Sequence, residues 1–244
     1  MTYPALEVAV ARATRPAAVG PCRFRFPDPH VADADGLLAS GGDLEPATLL
    51  AAYRHGVFPW PMDGIDLLWW SPDPRAILPP DGIHVSRSLA RTLRSRRFRV
   101  TIDAAFDDVL TACAQPRASH DDTWITPAIR GAYGHLHRLG WAHSVEVWAD
   151  GALAGGLYGV AIGALFAAES MFHRVNDASK VALVALGQHA RAVGVRVVDV
   201  QMPTPHLTSM GAVTIPREQY LREIAVAVTR PVDFTAGGEN FPAP

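Results

Sequence analysis

The stretch SVEVWADGALAGGLYGV, residues 144–160, decides the fold class. Ser144–Ala149 and Leu153–Val160 are rich in apolar and β-branched residues, and the Asp150-Gly151 pair between them is a strong signal for a tight hairpin turn. We therefore predict two antiparallel strands here, followed by a third short strand over Ala164–Ala168.

Helices are predicted on both sides of this hairpin. The first begins at Pro46, because a proline without an N–H suits the first helical position, and ends before Gly56. The other predicted helices are Ser86–Ser95, Ala104–Ala114, Pro127–Leu139 and Ala178–Val193, and the other predicted strands are Arg99–Asp103 and Val195–Gln201. Helices alternating with strands around a meander predict an α+β fold with a mixed sheet.

The segment Val57–Pro80 is dense in prolines and aromatic residues. Because proline has no N–H to donate, we expect neither a long helix nor a central strand within it. We place a domain boundary there, which gives a small N-terminal domain over residues 1–74 and a larger domain over residues 75–244.

The bulk composition excludes several classes of protein. The 244 residues carry a formal net charge of -2, so a contact with a polyanion has to come from a local patch. The only two cysteines, Cys22 and Cys113, lie outside any metal-ligand spacing. No apolar run approaches the roughly 20 residues that cross a bilayer, and no secretion signal is visible, so we expect a cytoplasmic protein with no metal, organic cofactor or membrane partner.

An arginine-rich run extends from Arg87 to Arg99 without a single acidic residue. On the predicted helix, Arg87, Arg91 and Arg94 lie on one face, and Arg96 and Arg97 continue the charge beyond it. A solvated helix face and a phosphate-binding patch both remain open.

Two further groups of residues have a functional and a structural interpretation. The aromatic residues Tyr53, Trp60 and Trp124 are typical of a platform that stacks on bases, although packing of a domain joint is the simpler explanation from the residues alone. Glu169 follows an apolar strand, and Asp199 and Gln201 alternate with valines, which places both on one strand face. Carboxylates in apolar strands indicate either a catalytic site or a satisfied hydrogen-bond network.

Several motifs, in this order along the chain, resemble the leucyl/phenylalanyl-tRNA–protein transferases. The similarity covers about residues 36–221, and the motifs that carry it are GLLASGGDL (36–44), YRHGVFPW (53–60), WWSPDPR (69–75), TWIT (123–126), HSVEVW (143–148), ESMF (169–172), ASK (178–180) and DVQ (199–201). The resemblance implies an N-acetyltransferase-like larger domain. It also implies transfer of leucine or phenylalanine, and methionine less well, from aminoacyl-tRNA to proteins that begin with arginine or lysine.

The resemblance also implies roles for particular residues. Asp199 and Gln201 correspond to the catalytic pair, with Glu169 engaging the cationic acceptor. The terminal adenosine is held by Trp60 and Trp124 with Tyr53 nearby, and Tyr133 and Ser179 belong to the same substrate-binding set. The basic helix that grips the tRNA acceptor stem corresponds to Arg87, Arg91, Arg94, Arg96 and Arg97.

The aminoacyl side chain is expected to enter an apolar pocket at Leu157, Phe166, Leu186 and Ala190. The last two are smaller than the aromatic residues of some relatives, so the preferred side chain is open. Two alternatives remain. An acyl-CoA-dependent acetyltransferase is disfavoured because residues 169–176 lack the glycines that usually bind pyrophosphate, and a non-catalytic tRNA-binding adaptor is disfavoured by the presence of all three polar residues.

Overall fold

The computed structural model describes residues 5–11, 14–62, 64–115 and 123–236. Its strands are β1 (Val8–Val10), β2 (Leu37–Ser40), β3 (Phe58–Trp60), β4 (Leu68–Trp70), β5 (Arg75–Ile77), β6 (Arg99–Ile102), β7 (Ala142–Ala149), β8 (Ala152–Ile162), β9 (Leu165–His173), β10 (Val197–Gln201) and β11 (Val213–Ile215). Its helices are α1 (Pro46–Arg54), α2 (Arg87–Arg94), α3 (Phe106–Cys113), α4 (Pro127–Arg138), α5 (Ala178–Val193), α6 (Pro205–Ser209) and α7 (Arg217–Ala227).

Within the described residues these strands form two sheets. The larger has eight strands in the order β1-β6-β7-β8-β9-β10-β5-β11, and the smaller has the order β2-β4-β3. An antiparallel meander runs from β6 to β9, whereas the β1–β6 and β9–β10 pairs are parallel. The predicted α+β class with a mixed sheet is confirmed.

The local signals in the sequence account for most element boundaries. The Ser86 side chain accepts a hydrogen bond from the Leu89 N–H at 3.2 Å and so caps α2. Gly194, at φ 94°, ends α5 in the left-handed conformation that glycine adopts without strain. The Asp150-Gly151 turn joins β7 to β8, as the hairpin signal predicts.

Two expectations about strands are wrong. Residues 57–80 do contribute an interior strand, because β5 lies between β10 and β11. The prolines of this segment flank β5 instead of occupying it, so its N–H groups stay available for pairing. The third strand of the meander is also longer than predicted: β9 continues through Glu169 to His173, which places Glu169 within the strand.

The two faces of the large sheet bury separate apolar cores. One face packs against α2 and α5, with Val198 and Val200 of β10 pointing into it. The other face packs against α1, α3 and α4 and includes Tyr53 and Tyr133. Asp199 is therefore on the face opposite to its neighbouring valines, as strand alternation requires.

The division into domains at residues 74 and 75 stays a prediction. The small sheet and α1 lie within residues 37–70, but β1, at the start of the chain, pairs with β6 in the large sheet.

Gly159 marks the tightest approach between β8 and β9. A Cβ at this position would lie 2.3 Å from the Ala167 carbonyl oxygen and 2.6 Å from the Phe166 ring. We predict that Gly159→Ala destabilises the protein by about 1–3 kcal/mol, because the buried strands have no room to separate. Urea unfolding followed by circular dichroism measures the change.

Gly131→Ala is the matched control, because it adds the same methyl group within α4, where no described atom outside the backbone of that helix lies within 4 Å of the new Cβ. Alanine has the higher helix propensity, so this variant should be more stable by about 0.5–1 kcal/mol. Equal unfolding midpoints for the two variants would contradict the close packing at Gly159.

Candidate active site

A buried ion pair forms the base of the candidate site. The Arg75 Nε donates to Asp199 Oδ1 at 2.9 Å and the Arg75 Nη2 donates to Asp199 Oδ2 at 2.6 Å. The Tyr220 hydroxyl donates to the same carboxylate at 2.8 Å, and the guanidinium lies over the Phe58 and Tyr220 rings. Burial lowers the pKa of Arg75, but the adjacent Asp199 carboxylate more than offsets this and raises it overall. This bidentate geometry satisfies the carboxylate without water.

Gln201 is held in an unusual backbone conformation directly above this pair. Its φ of 58° lies in the left-handed region, and a bulge occurs there because Asp199 and Gln201 oppose the adjacent residues Ile77 and Ala76. The Gln201 N–H donates to Asp199 Oδ1 at 2.9 Å. Asp199 therefore stabilises the strained turn through the backbone of Gln201, and that turn directs the Gln201 side chain towards β9.

A chain of hydrogen bonds joins Gln201 to two buried tyrosines through Glu169. The Gln201 Nε2 donates to Glu169 Oε1 at 3.2 Å, and the Tyr133 hydroxyl donates to Glu169 Oε2 at 3.1 Å. Tyr133 also shares a hydrogen bond with the Tyr53 hydroxyl. Burial raises the pKa of both tyrosines well above the usual value, so both remain neutral hydrogen-bond donors.

Removal of Glu169 from bulk water raises the pKa of its carboxyl to about 8. The hydrogen bonds from the two tyrosines lower the pKa, and so does the more distant Arg75 charge, but they do not offset the effect of burial. Glu169 can therefore gain or lose a proton near neutral pH, which is the property required of a general acid or base.

The polar chain opens into a cleft of about 650 Å³. Glu169 and Gln201 lie in its wall together with Trp60 and Trp124, whose rings stack with centroids 5.3 Å apart. Leu157, Ala168 and Val200 supply an apolar surface, and the segment Met202–Leu207 supplies part of the opposite rim. The cleft thus combines an aromatic platform, a titratable carboxyl and an apolar end.

The structure places the other predicted substrate-binding residues differently. Leu157 lines the cleft, whereas Phe166, Leu186 and Ala190 are fully buried in the core beneath it. Ser179 is buried in the first turn of α5. The aminoacyl pocket at Leu157, Phe166, Leu186 and Ala190 stays a prediction, and so does a substrate-binding role for Ser179.

The predicted tRNA-binding arginines share an exposed surface of α2 and the loop after it. Leu89, Ala90 and Leu93 of α2 are buried, so the arginines face solvent; they are Arg87, Arg91, Arg94, Arg96 and Arg97. Asp177, at the start of α5, accepts hydrogen bonds from Thr92 of α2 and from Lys180. The basic surface is therefore fixed to the same end of α5 that Lys180 occupies.

Sequence reasoning misses three residues of the site. Arg75 lies within a motif that assigns it no role, and Tyr220 lies in none, although both hydrogen-bond to Asp199. His206 lines the cleft, and among the described residues its buried Nε2 has no hydrogen-bond partner. The only sequence signal for these residues is the arginine that ends the proline-rich motif. Its hydrogen-bond partners cannot be inferred, because they lie far from it in the sequence.

Comparison with known proteins identifies the family. The model described as "Leucyl/phenylalanyl-tRNA protein transferase" matches residues 77–225, and the one for the N-terminal domain of the same family matches residues 42–73. The chain belongs to this family. That identification, made from its motifs, is confirmed.

Curated relatives named leucyl/phenylalanyl-tRNA–protein transferase agree with the assignment. The protein from Chromohalobacter salexigens is 56% identical over 86% of this chain and 83% of its own length. The relative from Aromatoleum aromaticum is 56% identical over 79% of this chain and 81% of its length, and that from Stutzerimonas stutzeri is 55% identical over 82% and 88%. The prediction of an aminoacyl-tRNA–protein transferase is confirmed at the level of the family.

Among solved structures, a GCN5-related N-acetyltransferase from Kribbella flavida matches with a TM-score of 0.38 and 12% identity, over 70% of this chain and 61% of its own. The family assignment does not depend on this distant similarity. No helix within the described parts of the chain is long and apolar enough to cross a membrane.

Because the pKa of Glu169 is raised in the folded protein, the free energy of unfolding should depend on pH. A carboxyl with a folded-state pKa of about 8 and an ordinary value of 4.5 binds its proton more tightly in the folded protein. Its contribution is therefore fully present below pH 4.5 and is lost as the pH rises through about 8. We predict that Glu169→Gln has a shallower loss of unfolding free energy than wild type over this range, measured by urea unfolding at several pH values.

Some pH dependence should remain, because burial also raises the pKa of Glu146, to about 7. Glu218→Gln removes a carboxylate from the exposed surface of α7 and serves as the control. A Glu169→Gln profile as steep as that of wild type would contradict the assignment of a proton to Glu169.

Proposed function

We propose that the protein transfers leucine or phenylalanine, and methionine less well, from aminoacyl-tRNA to the N-terminal arginine or lysine of an acceptor protein, which marks that protein for degradation in the cytoplasm. The observation that carries the proposal is the single cleft in which an aromatic platform, an apolar surface and the Gln201–Glu169 pair lie together. Family membership supports aminoacyl-tRNA and a protein as the two substrates, and the motif resemblance supports the proposed amino acids and N-terminal residues.

The Trp60–Trp124 pair is the proposed site for the terminal adenosine of the tRNA. Its two rings are nearly parallel, at 20°, and both are partly exposed to the cleft. The edge of Trp124 also packs against the buried Tyr133, which fixes the platform relative to Glu169. Stacking of a base on such a surface is worth about 1–3 kcal/mol.

The reaction needs a neutral amine as nucleophile, so the ammonium form of the acceptor first gives up one proton; the transfer itself then moves one more proton. The acceptor α-amine attacks the carbonyl carbon of the aminoacyl ester, an amide bond forms, and the bond to the ribose oxygen breaks. The amine nitrogen loses one proton and the departing ribose oxygen gains one. Because the ester is already activated, alignment of amine and carbonyl supplies much of the acceleration.

Glu169 is the proposed proton acceptor. Its pKa of about 8 is close to that of a protein α-ammonium group, about 7.7–8.0, so the ammonium form of the acceptor gives its proton to the Glu169 carboxylate at little cost and becomes the neutral nucleophile. A cationic arginine or lysine side chain entering the cleft favours the carboxylate form of Glu169. Glu169 thus gains a negative charge as the cationic acceptor arrives.

Gln201 and Asp199 have different proposed roles. The Gln201 Nε2 is bound to Glu169, which leaves its amide oxygen to accept a hydrogen bond from the attacking amine. Asp199 is fully buried and is not part of the cleft wall, so it acts by positioning Gln201. Asp199→Ala is therefore a poor test of a catalytic role, since it leaves the buried Arg75 guanidinium without its counter-ion.

The acyl-CoA alternative is weakened by the start of α5. Asp177 occupies the N-cap position there with its carboxylate bound to Lys180 and Thr92. A helix N-terminus binds pyrophosphate through free backbone N–H groups and a positive field. The negative charge of Asp177 at this position disfavours binding of the pyrophosphate of an acyl-CoA.

Transfer of radiolabelled leucine and phenylalanine from their tRNAs to a protein beginning with arginine tests the function. We predict label on the arginine acceptor and none on the same protein beginning with alanine. Glu169→Gln should lower kcat about 10²–10⁴-fold, because an amide cannot accept the proton. The apparent affinity for aminoacyl-tRNA should stay the same.

Glu218→Gln is again the matched control and should transfer at the wild-type rate. If wild type labels neither acceptor but binds aminoacyl-tRNA, the adaptor alternative replaces the enzyme. If Glu169→Gln is as active as wild type, the transferase function stands and the proton acceptor lies elsewhere.

The basic surface on α2 makes a second prediction. Arg91→Ala and Arg94→Ala together should weaken binding of aminoacyl-tRNA and lower the slope of log K against log salt by about 0.9 for each phosphate that the two arginines neutralise. Transfer from an aminoacyl-adenosine, which lacks the acceptor stem, should be unaffected. Filter binding at several salt concentrations measures the slope.

Arg222→Ala removes an equally exposed arginine that pairs with Glu218 on α7, and it should change neither quantity. A double variant with a wild-type salt slope would show that the tRNA follows another surface.

A further inference from the structure

A phenylalanine from the C-terminal segment completes the core beneath the cleft. Phe234 is only 3% exposed, and its ring stacks on that of Phe166 with centroids 4.8 Å apart and an angle of 20°. The rings of His143 and His189 contact it from two other sides, both at 4.9 Å. Phe234 is therefore enclosed by three rings that belong to the large sheet and α5.

Polar contacts fix the backbone around this ring. The Phe234 carbonyl accepts a hydrogen bond from His189 Nε2 at 2.5 Å. Burial lowers the pKa of His189, which favours the neutral imidazole. The next residue, Thr235, accepts a hydrogen bond from the Thr14 N–H at 3.1 Å and donates to Asp233 at 2.7 Å. The segment is thus anchored to the rest of the protein at Phe234 and at Thr235.

Phe166 connects this ring cluster to the cleft. Ala168 and Leu157 form part of the apolar wall, and Phe166 precedes Ala168 by two residues on β9, so both point towards α5. The absence of a side chain at Gly159 lets the Phe166 ring lie against β8. Phe166 consequently lies next to Ala168 along the same strand face, at the edge of the apolar wall, and Phe234 packs against Phe166.

The small side chains of α5 leave core volume that a residue of the C-terminal segment can fill. Leu186 and Ala190 lie one turn apart in the same apolar core and are both fully buried, but neither carries a ring. Protein interiors are close-packed, so the volume that small residues leave on α5 has to be occupied by another side chain. Phe234 belongs to the same core and packs against His189 of α5, so it supplies a ring to this part of the core.

We propose that Phe234, acting through Phe166, sets the depth of the apolar end of the cleft and thereby the relative use of leucyl and phenylalanyl donors. This inference rests on the proposed function and adds to it a specificity-determining residue near the end of the chain, beyond the motifs. Phe234 is buried and does not line the cleft, so it is a positioning residue that limits how far the Phe166 ring can move.

The expected change in the ratio of phenylalanyl to leucyl transfer can be estimated from the way apolar pockets discriminate between side chains of different size. One methylene of misfit changes kcat/KM by about 10–200-fold. Shortening Phe234 lets Phe166 move away from the wall, which favours the larger donor side chain. The expected change is therefore at least about tenfold in the ratio of phenylalanyl to leucyl transfer.

The test is an internal competition. Leucyl-tRNA and phenylalanyl-tRNA with different labels are mixed, and the ratio of the two labels on the arginine acceptor is measured for wild type, Phe234→Leu and Phe234→Ala. The ratio of phenylalanine to leucine should rise in the order wild type, leucine variant, alanine variant. Because both donors compete for the same enzyme molecules, the ratio does not depend on the amount of folded protein.

Val232→Ala is the matched control. Val232 comes from the same segment and packs on the same core, and its side chain lies near Gly194 at the end of α5. It should lower stability while leaving the ratio unchanged. An unchanged ratio in both Phe234 variants, or an equal shift in Val232→Ala, would overturn the inference, whereas the absence of transfer by wild type would overturn the proposed function instead.

Discussion

The Arg75–Asp199 ion pair is the interaction on which the geometry of the site depends. A buried charge pair is tolerated only when every donor and acceptor finds a partner. Here Tyr220 of α7 donates to the carboxylate, and the Gly56 carbonyl accepts from Arg75 Nη1 at 3.2 Å. The pair therefore joins the turn after α1, an interior strand, the end of β10 and the last helix. The motif at residues 69–75, which ends at Arg75, makes two further contacts with α7. The Arg217 side chain donates a hydrogen bond to the Ser71 carbonyl, and the Arg217 backbone N–H donates one to Asp73.

The left-handed conformation of Gln201 is a consequence of this arrangement. A non-glycine residue at φ 58° costs roughly 1–3 kcal/mol and persists only where its surroundings hold it. Its N–H is bound to Asp199, which Arg75 fixes in turn. The strain is useful because an unbulged strand would carry the Gln201 side chain past Glu169. Two carboxyls in one site thus serve different ends: Asp199 has a guanidinium partner, whereas Glu169 has only neutral donors and an elevated pKa.

The sequence predicts the local structure of this protein better than its long-range pairing. The hairpin, α5 and the cap at Ser86 follow from turn chemistry and side-chain period, which depend on neighbouring residues. The interior position of β5 and the parallel pairing of β1 do not, because proline counts and short apolar runs carry no information about a distant partner. Of the candidate site, the aromatic platform and the polar trio could be named from motifs. Arg75 and Tyr220 could not be given roles, since each acts only through Asp199.

The burial of Phe234 is a second example of a long-range contact that the sequence does not predict. A phenylalanine in a glycine-containing segment without apolar periodicity gives no signal of burial in the sequence. The cause lies elsewhere in the chain: α5 is lined with alanine and leucine over the sheet, and Gly159 lets Phe166 lie flat on it. A core that must be filled to crystal-like density recruits a ring from whichever segment passes close enough. Residues far from any motif can therefore determine the size of a pocket whose polar chemistry is fixed by the motifs, and the two properties can vary independently within one fold.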